Sequence, residues 1–220
     1  FIISKKKESI KKYFFNDQFY KSILAKKKDK RILKEFKKLK KYQKMIKFVY
    51  QDKPKGTGDA ILKCINHIKN THFLMIFPDD LIINNNCSKE MILLHGKTKG
   101  SIIATKKVKK KDVSRYGILS IKDKKKNFFK ISDVVEKPNT KKAPSNYAII
   151  GRYILPRTIM GKLKNLKPGQ GGEIHITDAI KLLIKDGENF YGNIFKGEYL
   201  DCGTMSGYIN SGIQISKGIE

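Results

Sequence analysis

Three acidic positions stand where strand-like segments stop: Asp79 with Asp80 beside it, Glu136, and Asp201. The run from His72 to Phe77 lacks alternation and reads as a strand buried on both faces, the pattern of a parallel sheet covered by helices. In open α/β sheets ligands gather beyond the carboxyl ends of strands, so Asp79 and Asp80 would stand at the mouth of a crevice. A hard cation carried in by a phosphate is what such a pair could hold, although Pro-Asp-Asp is equally ordinary turn chemistry. Residues 128–135 read as a strand that stops at Glu136-Lys137-Pro138, where a surface ion pair is the plain alternative. Tyr199-Leu200 runs into Asp201-Cys202-Gly203, a third acid at a strand end.

Two glycine-bearing stretches have the character of ligand loops. Residues 45–50 read as a strand that enters Gln51-Asp52-Lys53-Pro54-Lys55-Gly56-Thr57-Gly58-Asp59. A helix follows with Ala60, Ile61, Cys64, Ile65 and Ile68 on one face. Glycine between strand and helix lets backbone amides approach a ligand, and a helix start favours anions. The spacing fits neither G-x-G-x-x-G nor the P-loop, so no generic nucleotide motif is assigned. Gly151 sits inside the strand pattern of residues 146–155, where glycine weakens a strand unless backbone or ligand must come close.

The elements that would position these residues alternate between strand and helix. Phe1-Ile2-Ile3 is strand-like, Ser4 could cap a helix through Phe15, and residues 17–44 read as one or two lysine-rich surface helices. A helix over 88–95, a strand over 101–104, a charged excursion over 106–112, and a hairpin of 116–119 with 128–135 come next. Loop 168–173 feeds a helix carrying Ile176, Ile180 and Leu183, then a strand over 190–195 and a last helix with Ile209 and Ile213.

At 220 residues the chain is read as one domain over 1–220, since no linker-like composition divides it. No apolar run approaches 18 residues and the start is not signal-like, so a cytoplasmic protein without membrane partner is expected. Cys64, Cys87 and Cys202 have no Cys-x-x-Cys spacing and read as reduced thiols. Lys plus Arg number 48 against 20 Asp plus Glu, a formal +28. That excess is mostly lysine scattered over polar positions, with arginine scarce and no nucleic-acid motif, so no specific nucleic-acid partner is expected.

Taken in order, the segments become more specific. Gln51 to Ala60, Pro78-Asp79-Asp80-Leu81, Tyr116-Gly117, Val135-Glu136-Lys137-Pro138, residues 143–146, Gly151-Arg152-Tyr153, Gly171-Gly172-Glu173-Ile174 with Thr177-Asp178-Ala179, and Asp201-Cys202-Gly203 resemble bacterial UTP:glucose-1-phosphate uridylyltransferases over almost the whole chain. The resemblance implies a Rossmann-like three-layer α/β/α fold with a mixed central sheet, and a magnesium-dependent transfer of UMP from UTP to glucose 1-phosphate. It matches Gln51 and the Gly56 backbone to uracil-holding positions, Asp79 and Asp201 to the metal ligands, and Gly117, Glu136 and Gly151 to the sugar site. Lys137 matches the lysine that neutralises the phosphate. The chemistry agrees, because a phosphate nucleophile is already anionic and needs no general base, leaving alignment and charge neutralisation as the work of the site.

Two departures from the family pattern stand out. The family's Gly-rich triphosphate loop is expected upstream of Phe1, so the chain is expected to lack an N-terminal segment and a little of its C-terminal helical tail, with homo-oligomer contacts belonging to the full length. Asp59 stands where the family usually shows histidine, and could cap the helix or repel a phosphate. Thymidylyl transfer, another sugar-nucleotide pyrophosphorylase activity, and an inert fragment keeping a sugar and uridine half-site are the alternatives.

Overall fold

The computed structural model describes residues 1–27 and 29–218. They fall into two compact units: Phe1–His67 with Pro168–Ile174, and Ile68–Lys167 with His175 onward.

In the first unit, β1 (Ile2–Ile3) pairs in parallel with β2 (Val49–Tyr50). Helices α1 (Glu8–Phe15), α2 (Gln18–Lys26) and α3 (Lys30–Gln43) fill the interval, matching the expectation of lysine-rich surface helices. Asp29 caps α3 by accepting from the Arg31 and Ile32 amides, whereas Ser4 precedes a short 3₁₀ turn and its side chain caps nothing. Strand β2 is shorter than the run 45–50 suggested. The periodic face over 60–68 is divided between α4 (Thr57–Lys63) and a 3₁₀ turn over Ile65–His67.

The second unit is built on a six-stranded mixed sheet in the order β3 (His72–Ile76), β8 (Tyr147–Pro156), β5 (Ser101–Lys107), β9 (Phe190–Ile194), β7 (Phe128–Glu136), β6 (Gly117–Lys122). Only β5 and β9 run parallel, and β6 also meets β8 at Ile118↔Ala148. Along β5, Ile102 and Ala104 join Cys87, Met91 and Leu94 of α5 (Cys87–Thr98) in one cluster. Ile103 and Thr105, also buried, point to the opposite face by the period of two. On the far strands α7 (Ile176–Lys185) packs against β7, with α6 (Ile159–Asn165) beside it.

Two expectations change. Strand β3 is an edge strand with one partner, antiparallel β8, and Leu74 and Ile76 are 38% and 46% exposed. An apolar run alone does not distinguish a central strand from an edge one. The turn after Phe77 also opens directly into a strand, β4 (Asp80–Ile83), which pairs antiparallel with β10 (Glu198–Asp201) as a separate ribbon ahead of α8 (Met205–Ser216).

Candidate functional site

The β4–β10 ribbon brings the acids together. Its register sets Asp80 opposite Asp201, and the Cys202 amide donates to the Asp79 carbonyl at 2.8 Å, carrying the pairing one residue further. A Cβ built on Gly203 would lie 3.1 Å from Asp79 Oδ2 and 3.2 Å from Asp201 Oδ1, so both carboxylates converge on the space that this glycine leaves. Like charges opposed on neighbouring strands repel, and the site answers each carboxylate with its own donors.

Asp80 is held on every side. Its Oδ2 accepts the Gly151 amide at 2.7 Å, its Oδ1 accepts the Tyr199 hydroxyl at 2.6 Å, and its carbonyl accepts from Arg152 Nη1 at 3.0 Å. Burial pushes this carboxyl above its usual range, against the hydrogen bonds from Tyr199 and Gly151, and the charges of Asp79 and Asp201 add to the rise. The Tyr199 hydroxyl is pushed far up, by burial first and then by its bond to Asp80. Asp80 therefore anchors the start of β4 and positions its neighbour Asp79. Replacing Tyr199 with Phe removes one of those donors; we expect a loss of about 1 kcal/mol in chemical denaturation, and an unchanged midpoint would show that the bond holds nothing in place.

Asp201 accepts the Gly203 amide on Oδ1 at 3.0 Å and forms an ion pair through Oδ2 with Arg115 Nη2 at 2.9 Å. Arg115 ends the 3₁₀ turn Lys110–Arg115, and sequence reasoning missed it because a lone arginine in a charged excursion carries no signature.

Glu136 ends β7 in register with Gly117, and its Oε2 lies 3.3 Å from a Cβ built on that glycine, so Gly117 keeps open the space beside the carboxylate. The hydroxyl of buried Tyr153 is pushed up, by burial first and then by the negative charges of Glu136 and Asp80. Lys137, with φ of 42°, is in the left-handed region that lysine rarely adopts, and its amide donates to the Tyr116 carbonyl at 3.1 Å. At Gly151 the side-chain direction is filled by Phe77 and Asp80, its amide goes to Asp80 and its carbonyl accepts from the Phe77 amide at 2.6 Å. The second unit thus places Asp79, Asp80, Asp201 and Arg115 in one cluster, with Glu136 and Lys137 at the end of β7 beside Gly117.

In the first unit, Gly56 has φ of 93° and a Cβ there would sit 2.6 Å from the Ile174 carbonyl oxygen, so only glycine fits the loop. Gln51 Nε2 donates to the Gly56 carbonyl at 3.1 Å and to Asp59 Oδ2 at 2.7 Å. Asp59 is thereby engaged with Gln51, in the first turn of α4. Both amide hydrogens of Gln51 are thereby committed, which leaves its Oε1 as the acceptor of the side chain.

Among the described residues no three or more His, Cys, Asp or Glu side chains gather as a metal cluster. The Asp79 and Asp201 pair around Gly203 nonetheless fits a hard divalent cation, which is commonly held by one or two carboxylates with substrate phosphates and water completing its shell.

Residues 8–217 match the family model described as nucleotidyl transferase. A protein of Methanocaldococcus jannaschii provisionally named UTP–glucose-1-phosphate uridylyltransferase is 34% identical over 215 residues, 98% of this chain and 75% of that protein. The Pseudomonas aeruginosa UTP–glucose-1-phosphate uridylyltransferase is 36% identical over 167 residues, 74% of this chain, which spans only 60% of the pseudomonad enzyme. A crystal structure of apo UDP-glucose pyrophosphorylase superposes with a TM-score of 0.88 at 34% identity, covering 100% of this chain and 81% of that one. Enzymes of this kind work with a divalent metal. The chain belongs to the nucleotidyl transferase family and, by these relatives, to its UTP–glucose-1-phosphate uridylyltransferases.

Proposed function

We propose that this chain transfers the uridylyl group of UTP to glucose 1-phosphate, releasing pyrophosphate and giving UDP-glucose. The observation that carries the reading is the convergence of Asp79 and Asp201 on Gly203, supported by relatives of that name. A sugar-phosphate oxygen attacks the α-phosphorus in line, the bond to the β-phosphate breaks, and no proton need be removed from the nucleophile. Asp79 and Asp201 would hold the divalent cation, proposed to be Mg²⁺, which when bound neutralises phosphate charge in the transfer. Lys137 neutralises the acceptor phosphate, Glu136 accepts hydrogen bonds from glucose hydroxyls beside Gly117, and Gly151 shapes that side by admitting Asp80. Gln51 and the Gly56 backbone hold the uracil. We extend the reading to one nucleotidyltransferase domain over 1–220, in a cytoplasmic protein that forms a homo-oligomer when full length and has no specific nucleic-acid partner. No described helix is long and apolar enough to cross a membrane.

Pyrophosphate release from glucose 1-phosphate with UTP beside dTTP tests the assignment. A preference for UTP is expected, and a preference for dTTP would make the protein a thymidylyltransferase. Asp59 has a part in the same reading, because it commits the Gln51 amide hydrogens and leaves Oε1 to meet the N3–H of uracil. Asp59→Ala should raise KM for UTP about fivefold with kcat within about twofold, the scale of one lost hydrogen bond. Unchanged KM would remove Asp59 from base recognition.

A further inference from the structure

We propose that Arg115 is a positioning residue that latches Asp201 until the divalent cation takes its place, and that sugar-phosphate binding favours the exchange. The proposal rests on the reading of Asp79 and Asp201 as the cation's ligands. The guanidinium sits on Asp201 Oδ2 at 2.9 Å while the Gly203 amide donates to Oδ1, so a cation arriving at this carboxylate meets the arginine's positive charge beside it. A guanidinium and a divalent cation on one carboxylate repel, which sets the two in competition for Asp201. While the cation is away, Arg115 also offsets the repulsion between Asp201 and Asp80 across the ribbon.

The pair is built to be exchanged. Arg115 is 50% exposed and Asp201 28%, and ion pairs so open to solvent are weak, so the latch gives way without a large barrier. A released side chain has room beside it. Its guanidinium lies 5.5 Å from the centre of the Tyr116 ring, facing a cavity of about 540 Å³ walled by Thr204, Ser206, Asn210 and Gln214.

The coupling to the sugar phosphate runs through two adjacent residues. Tyr116, next to the latch, accepts the Lys137 amide through its carbonyl, and Gly117 pairs with Glu136. Lys137 keeps its left-handed backbone conformation at that hydrogen bond, so a phosphate drawing on Lys137 acts on the Tyr116 carbonyl, in the residue next to Arg115.

Binding of Mn²⁺ alone, followed by electron paramagnetic resonance of the free ion, tests this on the full chain. Arg115→Gln should bind Mn²⁺ about threefold more tightly than the parent, and Arg115→Lys should return towards it. Lys111→Gln, which removes a charge from the same 3₁₀ turn without touching Asp201, should bind as the parent does. Added glucose 1-phosphate should tighten Mn²⁺ in the parent and lose that effect in Arg115→Gln. Affinity unchanged in Arg115→Gln, or shifted equally in Lys111→Gln, would overturn the latch. Asp201→Asn separates the two readings. If it weakens Mn²⁺ at least about tenfold while Arg115→Gln changes nothing, the cation reading stands and the latch falls; if Asp201→Asn binds unchanged, both fall.

Discussion

Asp79→Asn is expected to lower turnover by about a thousandfold or more while leaving the thermal midpoint within a few degrees of the parent. The substitution keeps the shape of the side chain and removes the charge that pairs with Asp201 around Gly203. Electrostatic groups aimed at a transferring phosphoryl carry effects of this size, because there is little covalent chemistry for the protein to perform beyond alignment and neutralisation. The fold should not notice, since the contact that Asp79 lends to the ribbon is its backbone carbonyl, which accepts the Cys202 amide and survives the change. Pyrophosphate release at saturating substrates and a parallel melt by circular dichroism separate the outcomes. A variant that loses its fold would mean that the side chain is structural, and one that keeps most of its turnover would take it out of the reaction.

The same residue marks how far the sequence could be read. A strand-like run that stops at an acid is a local pattern, and it located Glu136 and Asp201 at the ends of β7 and β10, whereas Asp79 falls in the turn between β3 and β4, the turn chemistry that Pro-Asp-Asp also allowed. What gathers the first and last of these is pairing between β4 and β10, segments more than a hundred residues apart, and four residues such as Asp80 to Ile83 do not announce a distant partner. Asp80 was visible as a motif residue but its work was not, because its partners Gly151 and Tyr199 come from two other strands. The edge position of β3 was hidden for the same reason: composition reports that a strand is apolar, and topology decides which faces are covered. Asp59 was seen as a departure whose meaning depended on where the carboxylate pointed, and its bond to Gln51 supplies that direction. The long elements with strong periods, α3 and α7, were legible in type because their amphipathic patterns are set within a few turns of chain.

Gly151→Ala should destabilise the second unit by about 3 kcal/mol. A Cβ there would sit 2.5 Å from Phe77 Cβ and closer still to Asp80 Oδ2, with no flexible chain end to yield on the Phe77 side. Asp80 would have to turn away, giving up the Gly151 amide and straining its bond to Tyr199 in a half-buried site where an unpaired carboxylate is costly. Since β4 begins at Asp80, the displacement reaches Asp79 and the geometry around Gly203, so turnover should fall even at temperatures where the variant remains folded. Gly161→Ala is the matched control: nothing lies within 4 Å of its Cβ, it sits inside α6, and alanine there should stabilise slightly through helix propensity. Urea denaturation of the two variants beside the parent reads the difference directly. If Gly151→Ala unfolds at the parent's midpoint with its activity intact, Asp80 is not wedged against this glycine, and the account of how Asp79 and Asp201 are held in place fails with it.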